Sequence, residues 1–438
     1  MKKLIALLMA LAMVFGMVAC GAKAPEAAAP EAAPEAAPAA KEEAGSALPY
    51  EGLEMTIGLA PLVSVDADKA FWDEQLVKFT ELTGAKVNVE VNDWTELESK
   101  YLTMYMGDDP YDVLYGWPAL LATYVESGNM VDLTPYYTDE EIAGEYFWEA
   151  GRYSDGGVYC VGFAGASAQR SYVFNMDILA DCGITEVPDT WDELLATCEI
   201  IQTKRPDVYA FLTPLTGNAN SVGFNTQLLA LQCGHYHDWN EDFTQIILND
   251  EAMVDAFTFL KTMYDEGYLS EDAMGMGEDV TDTMFREGKA AIIVANGAQK
   301  FTDVTFDWYA STAMVNSKYN IQKTWNPLDC LGVSKNVENV QAAVDLIKFM
   351  NSTDVRDAFN NTIYKSAQIR ATDIPMEWPE QTADVFAHPE RSHSTPMVAG
   401  PGGLLDEWAS LQQRVLLGEI SIEDGLAEFE ANMNAALQ

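Results

Sequence analysis

Short apolar segments alternate with amphipathic ones over the first part of the globular sequence, and this alternation limits the fold more than any other feature. Strands are predicted at 55–59, 87–91 and 112–115, and helices at 68–82 and 94–106. A strand that returns to the same sheet through a helix normally runs parallel to its predecessor. The pattern therefore predicts an α/β protein with a mostly parallel sheet that helices cover on both faces.

The same alternation restarts in the middle of the chain. Segments 158–163 and 170–175 predict strands, and a helix follows them. Thr190 and Glu193 stand three residues apart at the start of this helix, as a capping box requires. Asn249 is placed to cap a later helix. Two successive α/β units predict two lobes, and open sheets of this kind bind ligands in a crevice at the strand carboxyl ends.

The N-terminal segment differs in composition from everything that follows. Two lysines precede the apolar run 4–18, and a small residue stands directly before Cys20. This order resembles a bacterial lipoprotein signal, which predicts a signal peptide over 1–19 and a lipidated Cys20. Residues 20–49 repeat Ala, Pro and Glu and predict a disordered linker. In the alternative interpretation, an ordinary signal peptide is cleaved and Cys20 has no special role.

Charge and cysteine content exclude several kinds of protein. The chain carries 68 acidic and 25 basic residues, a net charge of -43, which repels nucleic acid; the acids themselves are typical of a solvated surface. After Cys20, five cysteines remain, an odd number without metal-type spacing. They are expected to be buried free thiols, and they are Cys160, Cys182, Cys198, Cys233 and Cys330.

Seven motifs occur along the chain in an order that one family shares. They are FTELTGAKVNVEV, GDDPYDVLYG, SGNMVDLTPYY, DGGVYCVGF, FNMDILADCGITEVPDTWDELLATC, FREGKAAIIVANG and LGVSKNVENVQAAVDLIKFM. Over nearly all of 53–438 the sequence resembles the extracellular solute-binding proteins of ABC importers, family 1, in their maltodextrin-binding branch. It departs from the family at Gly162-Phe163, where a proline is usual, and at Phe174, where a tyrosine is usual.

This resemblance implies the two-lobed periplasmic-binding-protein type II fold, an α/β architecture with discontinuous lobes and a hinge. Lobe one would comprise 50–167 plus 329–374, and lobe two 172–327 plus 376–438. It also implies a monomeric lipoprotein on the outer face of the cytoplasmic membrane. Such a protein captures a carbohydrate, here expected to be an oligosaccharide, by hinge closure and delivers it to membrane permease subunits. No cofactor and no metal are expected.

The resemblance also implies which side chains contact the ligand. Aromatic faces pack against the C–H faces of a sugar, and polar side chains bind its hydroxyl groups. The implied residues are Ser64, Asp66, Tyr115, Trp117, Gln169, Arg170, Asn218, Asn220, Phe224, Asn296, Gln299, Trp325, Asp406 and Trp408. Structural alternatives stay open for some of them, because Asp66 could cap a helix and the helical spacing of Trp408 is typical of a core residue.

Two further functions remain as alternatives. The ligand could be a polyamine or a metal complex, in which case acidic side chains should line the cleft. A secreted glycosidase is the enzyme alternative, but the chain lacks the Gly-x-Ser-x-Gly, His-Glu-x-x-His, Ser-x-x-Lys and Gly-x-x-x-x-Gly-Lys patterns, and a non-enzymatic role is expected. His235 and His237 could bind a metal but lack a third ligand that the sequence can place, so a solvated loop is the preferred interpretation.

Overall fold

The computed structural model describes residues 48–94, 96–164, 170–217, 219–326, 328–363, 370, 372–373, 377–394 and 396–438. The predicted signal peptide, Cys20 and nearly all of the linker lie outside these residues. Gln169, Asn218 and the side chain of Asn220 also lie outside them, as do parts of the predicted lobe crossings near 167 and 375.

The strands and helices follow one another along the whole described chain. The strands are β1 (Glu54–Leu59), β2 (Lys86–Val91), β3 (Val113–Gly116), β4 (Cys160–Ala164), β5 (Arg170–Asn175), β6 (Tyr209–Leu212), β7 (Ala290–Asn296), β8 (Trp308–Ser311), β9 (Thr324–Trp325), β10 (Asp329–Val333) and β11 (Ser392–His393). The helices are α1 (Val65–Thr83), α2 (Leu97–Met106), α3 (Pro118–Glu126), α4 (Asp139–Gly144), α5 (Met176–Asp181), α6 (Trp191–Lys204), α7 (Ala219–Phe224), α8 (Thr226–Gln232), α9 (Glu251–Asp265), α10 (Glu278–Arg286), α11 (Val340–Met350), α12 (Thr353–Thr362), α13 (Ala383–Ala387), α14 (Leu404–Leu416) and α15 (Ile422–Ala436).

The strands form two larger sheets, in the orders β2-β1-β3-β10-β4 and β6-β7-β5-β8. Strands β1, β2 and β3 are parallel, which confirms the predicted βαβαβ order. A mostly parallel arrangement is confirmed in both larger sheets, and the exceptions are β10, which runs antiparallel to β3 and β4, and β5, which runs antiparallel to β7 and β8. Strands β5 and β10 each follow a crossing between the lobes, so each begins at the sheet edge that faces the other lobe. The neighbouring strands of the same sheet end at that edge, and the pairs are therefore antiparallel.

Each of the two larger sheets has its own hydrophobic core. The core of lobe one draws on residues from 55–164 and 328–359, and the core of lobe two on residues from 172–314 and 385–433. Met397 departs from this division, because it is fully buried in the core of lobe one although it belongs to the range predicted for lobe two. The chain therefore approaches lobe one once more before α14 returns to lobe two.

Local signals in the sequence begin most of the helices. The predicted capping box at α6 is confirmed, since Thr190 accepts from the Glu193 N–H at 3.2 Å and the Glu193 carboxylate accepts from the Thr190 N–H at 3.1 Å. The cap predicted at Asn249 is wrong by one residue. Asp250 caps α9 instead and accepts from the Met253 N–H at 2.8 Å, because only the residue before the first turn can reach that donor.

The five cysteines after Cys20 are buried and free, as expected. None of the helices in the described residues combines the length and the apolar character that a membrane crossing requires.

A tight 3-10 turn, Trp148–Gly151, packs against β4. A Cβ atom on Gly151 would lie 1.9 Å from the carbonyl oxygen of Cys160 in this strand. The turn therefore requires glycine because the backbone of β4 fills the space of any side chain.

We expect Gly151→Ala to lower the free energy of unfolding by about 1–3 kcal/mol, since the added methyl group forces two backbone segments apart. Gly144→Ala is the matched control, because no atom lies within 4 Å of its Cβ position at the end of α4. Denaturant unfolding of both variants measures the difference, and equal stabilities would contradict the steric argument.

Candidate functional site

Polar and aromatic side chains gather at the edges of the two sheets where the chain crosses between lobes. In lobe one, β3 ends beside the start of β10, with Gly116 opposite Cys330. In lobe two, β5 begins at Arg170, which stands opposite Asn296 at the end of β7. Edges of this kind are where open α/β sheets bind ligands.

The loop after β1 exposes two of the predicted residues. Ser64 caps α1 and accepts from the Ala67 N–H at 3.2 Å, while Asp66 lies exposed in the first turn. The loop itself is held by Asp68, which is 1% exposed and accepts from the N–H groups of residues 62, 63 and 64 at 3.0–3.1 Å. Asp68 was missed because a carboxylate within a predicted helix gives no sign that it turns back onto the preceding loop.

Three aromatic side chains, Trp94, Tyr115 and Trp117, lie at or just after the ends of β2 and β3. Tyr115 is fully buried, and the exposed ring of Trp94 contacts it edge-on with the ring centroids 5.8 Å apart. The Trp94 indole N–H donates to the Pro61 carbonyl oxygen at 2.8 Å, which fixes the ring over the loop. Trp117 stands directly before α3, half-buried against the core of lobe one. Trp94 is thus the most exposed ring of this group. The sequence predicts a helix that begins at Trp94, but in the structure Trp94 precedes α2.

A buried carboxylate opens β10. Burial raises the pKa of Asp329 to about 7, although a hydrogen bond from the Tyr115 hydroxyl group acts in the opposite direction. Asp329 and Tyr115 therefore form one polar unit at the edge of lobe one. The sequence offered no sign of it beyond the position of Asp329 next to a predicted crossing.

Lobe two presents an arginine stacked on two aromatic rings. The Arg170 guanidinium carbon lies 3.9 Å from the centroid of the Phe224 ring and 4.8 Å from that of the Trp325 ring. The carbonyl oxygen of Arg170 accepts from the Thr324 hydroxyl group, which holds β9 beside β5. Phe224 is buried beneath the arginine, while Trp325 is half-buried and keeps part of its ring accessible. The structure thus brings together three residues that the resemblance implied.

Several polar atoms next to this stack have no hydrogen-bond partner within the described part of the chain. They are the indole N–H of Trp325, the side-chain oxygen of Asn296, and both the oxygen and the nitrogen of the buried Asn326 amide. Gln299 lies nearby in the 3-10 turn after β7. Since buried polar groups are nearly always paired, such a cluster is typical of a site that a ligand completes.

The two predicted residues of α14 lie on a helix that packs against α7, which carries Phe224. Asp406 is exposed in the first turn, and Trp408 is fully buried in the core of lobe two, where its ring centroid lies 6.3 Å from that of Phe429. Trp408 therefore offers no exposed surface to a ligand in this conformation, because the helical spacing turns it inward.

His235 forms a buried charge cluster with two carboxylates. Its Nδ1 lies 2.7 Å from Asp250 and its Nε2 3.0 Å from Asp238. Burial alone would lower the pKa of His235, but the hydrogen bonds to Asp238 and Asp250 outweigh this effect and raise the pKa to about 9. Both ring nitrogens thus bind carboxylates, which leaves neither for the metal site considered with His237. Among the described residues, no group of three or more His, Cys, Asp or Glu side chains could hold a metal ion.

Comparison with known proteins places this architecture among binding proteins. The bacterial extracellular solute-binding protein family matches residues 63–357. The chain is similar to a binding protein of Brucella abortus, with 21% identity over 371 residues that cover 81% of this chain and 86% of the relative.

Solved structures share the fold at low sequence identity. The sugar-binding protein MalE from Xanthomonas citri superimposes with a TM-score of 0.74 at 17% identity, covering 88% of this chain and 97% of that one. The cyclic alpha-maltosyl-1,6-maltose binding protein from Arthrobacter globiformis gives a TM-score of 0.73 at 16% identity, covering 88% and 99%. The two-lobed type II fold is thereby confirmed.

Asp329→Asn should change how stability depends on pH. The raised pKa means that the folded protein keeps a proton on Asp329 that the unfolded chain releases, so the contribution of Asp329 to stability falls as the pH rises from about 4 to about 7. Asparagine cannot ionise, and the variant should gain up to about 1.4 kcal/mol per pH unit relative to wild type over this window. Urea unfolding at several pH values measures this, and a constant difference would show that Asp329 does not titrate as described.

Proposed function

Because the chain belongs to the bacterial extracellular solute-binding protein family, we propose that it captures a carbohydrate for an ABC importer. The ligand is an oligosaccharide that binds between the two lobes and passes to membrane permease subunits. Hinge closure around the ligand provides the signal that distinguishes loaded from empty protein.

The observation that carries this proposal is the cluster at the edge of lobe two. Trp325 offers an aromatic face, and within the described part of the chain its indole N–H and amide atoms of Asn296 and Asn326 have no hydrogen-bond partner. A flat apolar ring beside neutral hydrogen-bonding groups matches a sugar, which has both C–H faces and hydroxyl groups. The named ligands of the two structural neighbours, a sugar and a cyclic maltosyl-maltose, support the same class.

Lobe one supplies the opposing surface in this proposal. The exposed ring of Trp94 and the half-buried ring of Trp117 are available for stacking, and Ser64 and Asp66 are exposed on the loop after β1. Gln169, Asn218 and Asn220 remain proposed contacts whose side chains lie outside the described residues.

The charges near the cluster favour a neutral ligand over a polyamine or a metal complex. Arg170 places a positive charge directly against Trp325. The carboxylate of Asp329 lies in lobe one, where burial raises its pKa and weakens its negative charge near neutral pH. A cationic ligand would therefore meet the repulsion of Arg170 in lobe two, which the exposed carboxylate of Asp66 could offset only from lobe one. The glycosidase alternative loses support because the family and the similar structures are binding proteins.

The proposal places the protein outside the cytoplasm as a lipid-anchored monomer. The family is extracellular, and the lipoprotein-like sequence around Cys20 would attach the chain to the outer face of the cytoplasmic membrane. The linker would then keep the lobes near the permease while allowing them to search for ligand.

A thermal-shift screen over mono- and oligosaccharides tests the ligand class. A saccharide at 100 times its Kd should stabilise the protein by ~2.7 kcal/mol. Trp325→Ala should then weaken binding of that saccharide more than about tenfold, which is 1.4 kcal/mol, because the stacking surface is lost.

Trp408→Ala is the matched control for this substitution. Since Trp408 is fully buried, its truncation should cost about 3–5 kcal/mol of stability, whereas Trp325→Ala should cost less because the Trp325 ring is only half-buried. Stabilisation by a polyamine and by no saccharide, or unchanged affinity in Trp325→Ala, would overturn the proposed site.

Cys20→Ala tests the anchor. If Cys20 carries the lipid, the variant should be released from membranes into the medium or periplasm, because each buried methylene of a lipid anchor contributes ~0.8 kcal/mol to membrane binding. Fractionation followed by immunoblotting measures the distribution. Membrane retention of a processed Cys20→Ala protein would contradict the lipoprotein proposal.

A further inference from the structure

A second concave site lies beside the proposed carbohydrate cluster. It encloses about 260 Å³ and is lined by Tyr146, Phe147 and Glu149 on one side and by His237, Ser392 and His393 on the other. This volume is just below the ~300–1,000 Å³ range of small-molecule pockets, so it suits one ring rather than a whole oligosaccharide.

The first wall belongs to lobe one and is held firmly. Phe147 packs against the core of that lobe, and Glu145 pairs with the backbone of Arg370 in an antiparallel bridge. The turn that ends at Gly151 fixes the other end of the segment against β4. Tyr146 is nevertheless 49% exposed, so its ring is available for contact.

The second wall continues the proposed carbohydrate site. Strands β9 and β11 form a separate two-stranded sheet, in which His393 stands directly opposite Trp325. The carbonyl oxygen of His393 accepts from the Asn326 N–H at 2.8 Å. Paired residues of neighbouring parallel strands lie about 4.8 Å apart and point to the same face. A ligand that stacks on Trp325 therefore lies next to His393, which lines this cavity.

The cavity also connects the two lobes. Val385 lies in the core of lobe two and Met397 in the core of lobe one, so the strand that carries Ser392 and His393 runs between them. An occupant of the cavity would contact lobe one through Tyr146 and the crossing segment through His393.

The lining is mostly apolar, and its polar groups are largely uncharged. Burial lowers the pKa of His393, which leaves the ring neutral at neutral pH, and its Nε2 lies 2.7 Å from the Tyr236 carbonyl oxygen. Because Nε2 must donate to a carbonyl oxygen, Nδ1 is an acceptor in the neutral ring. The Ser392 hydroxyl group has no partner within the described part of the chain.

The carboxylate in the lining is already neutralised. Glu149 accepts two hydrogen bonds from Arg152, at 2.6 and 2.7 Å, and this pair lies at the surface. Neither a cation nor an anion would therefore find an unpaired charge here. An exposed aromatic ring, a hydroxyl group and an imidazole acceptor instead match one hydroxyl-bearing ring.

We infer that this cavity is an accessory sugar subsite, which takes one further ring of an oligosaccharide whose main part stacks on Trp325. The inference rests on the proposed function, since it requires a carbohydrate ligand. The cavity makes affinity depend on ligand length and lets the added ring contact both lobes.

Calorimetric titration of the purified protein with two length series tests this subsite: glucose to maltohexaose, and N-acetylglucosamine to chitohexaose. Tyr146→Ala should weaken binding of the longest ligand more than about tenfold, or 1.4 kcal/mol, while the shortest ligand that binds changes less than about twofold. Ser392→Ala should show the same length dependence with a smaller loss. Tyr146→Phe is the matched control, because it keeps the stacking ring and should bind like wild type.

The outcomes separate this inference from the proposed function. Loss of affinity confined to the longer ligands supports the subsite. If wild type binds saccharides but Tyr146→Ala and Ser392→Ala bind every length as wild type does, the subsite is wrong and the carbohydrate function stands. Equal weakening at every length also overturns it, because Tyr146 would then belong to the main site. If wild type binds neither series, the proposed function and the subsite fail together.

Discussion

Two buried charged residues, each the first residue of a strand that follows a lobe crossing, organise the candidate site. Arg170 begins β5 and Asp329 begins β10. Because crossing strands start at the edge facing the other lobe, these residues lie at the cleft by topology. Burying a charge costs free energy unless the surroundings compensate. The rings of Phe224 and Trp325 stabilise the positive charge of Arg170. Burial raises the pKa of Asp329, which weakens its negative charge near neutral pH, and the Tyr115 hydroxyl group donates a hydrogen bond to its carboxylate.

The polar side chains around Trp325 connect this arrangement to the proposed function. Within the described residues, the side-chain oxygen of Asn296 and the amide of Asn326 have no hydrogen-bond partner in the protein. In the proposed function a ligand supplies partners to these groups, and each such hydrogen bond would contribute about 0.5–1.5 kcal/mol to binding.

Rigid supports surround the part that binds. The carboxylate of Asp68 fixes the loop after β1, and the Thr324 hydroxyl group fixes β9 to the first residue of β5. The turn at Gly151 holds the segment that presents Tyr146. Since these supports act on backbone, the side chains that face the cleft remain free to meet a ligand. In the proposed function, closure around a ligand would leave each of these edges intact.

The sequence by itself determined the elements and the family, because hydrophobic periodicity and capping are local properties. The capping box at Thr190 and the parallel order of the first strands were predicted without tertiary information. Only the tertiary structure decided which aromatic residues face the cleft. Trp408 turned into the core and Trp94 stayed exposed, since burial depends on what packs against a side chain. The direction of β5 and β10, the Asp329–Tyr115 pair and the cavity at His393 likewise arise from segments far apart in sequence, which no local pattern can bring together.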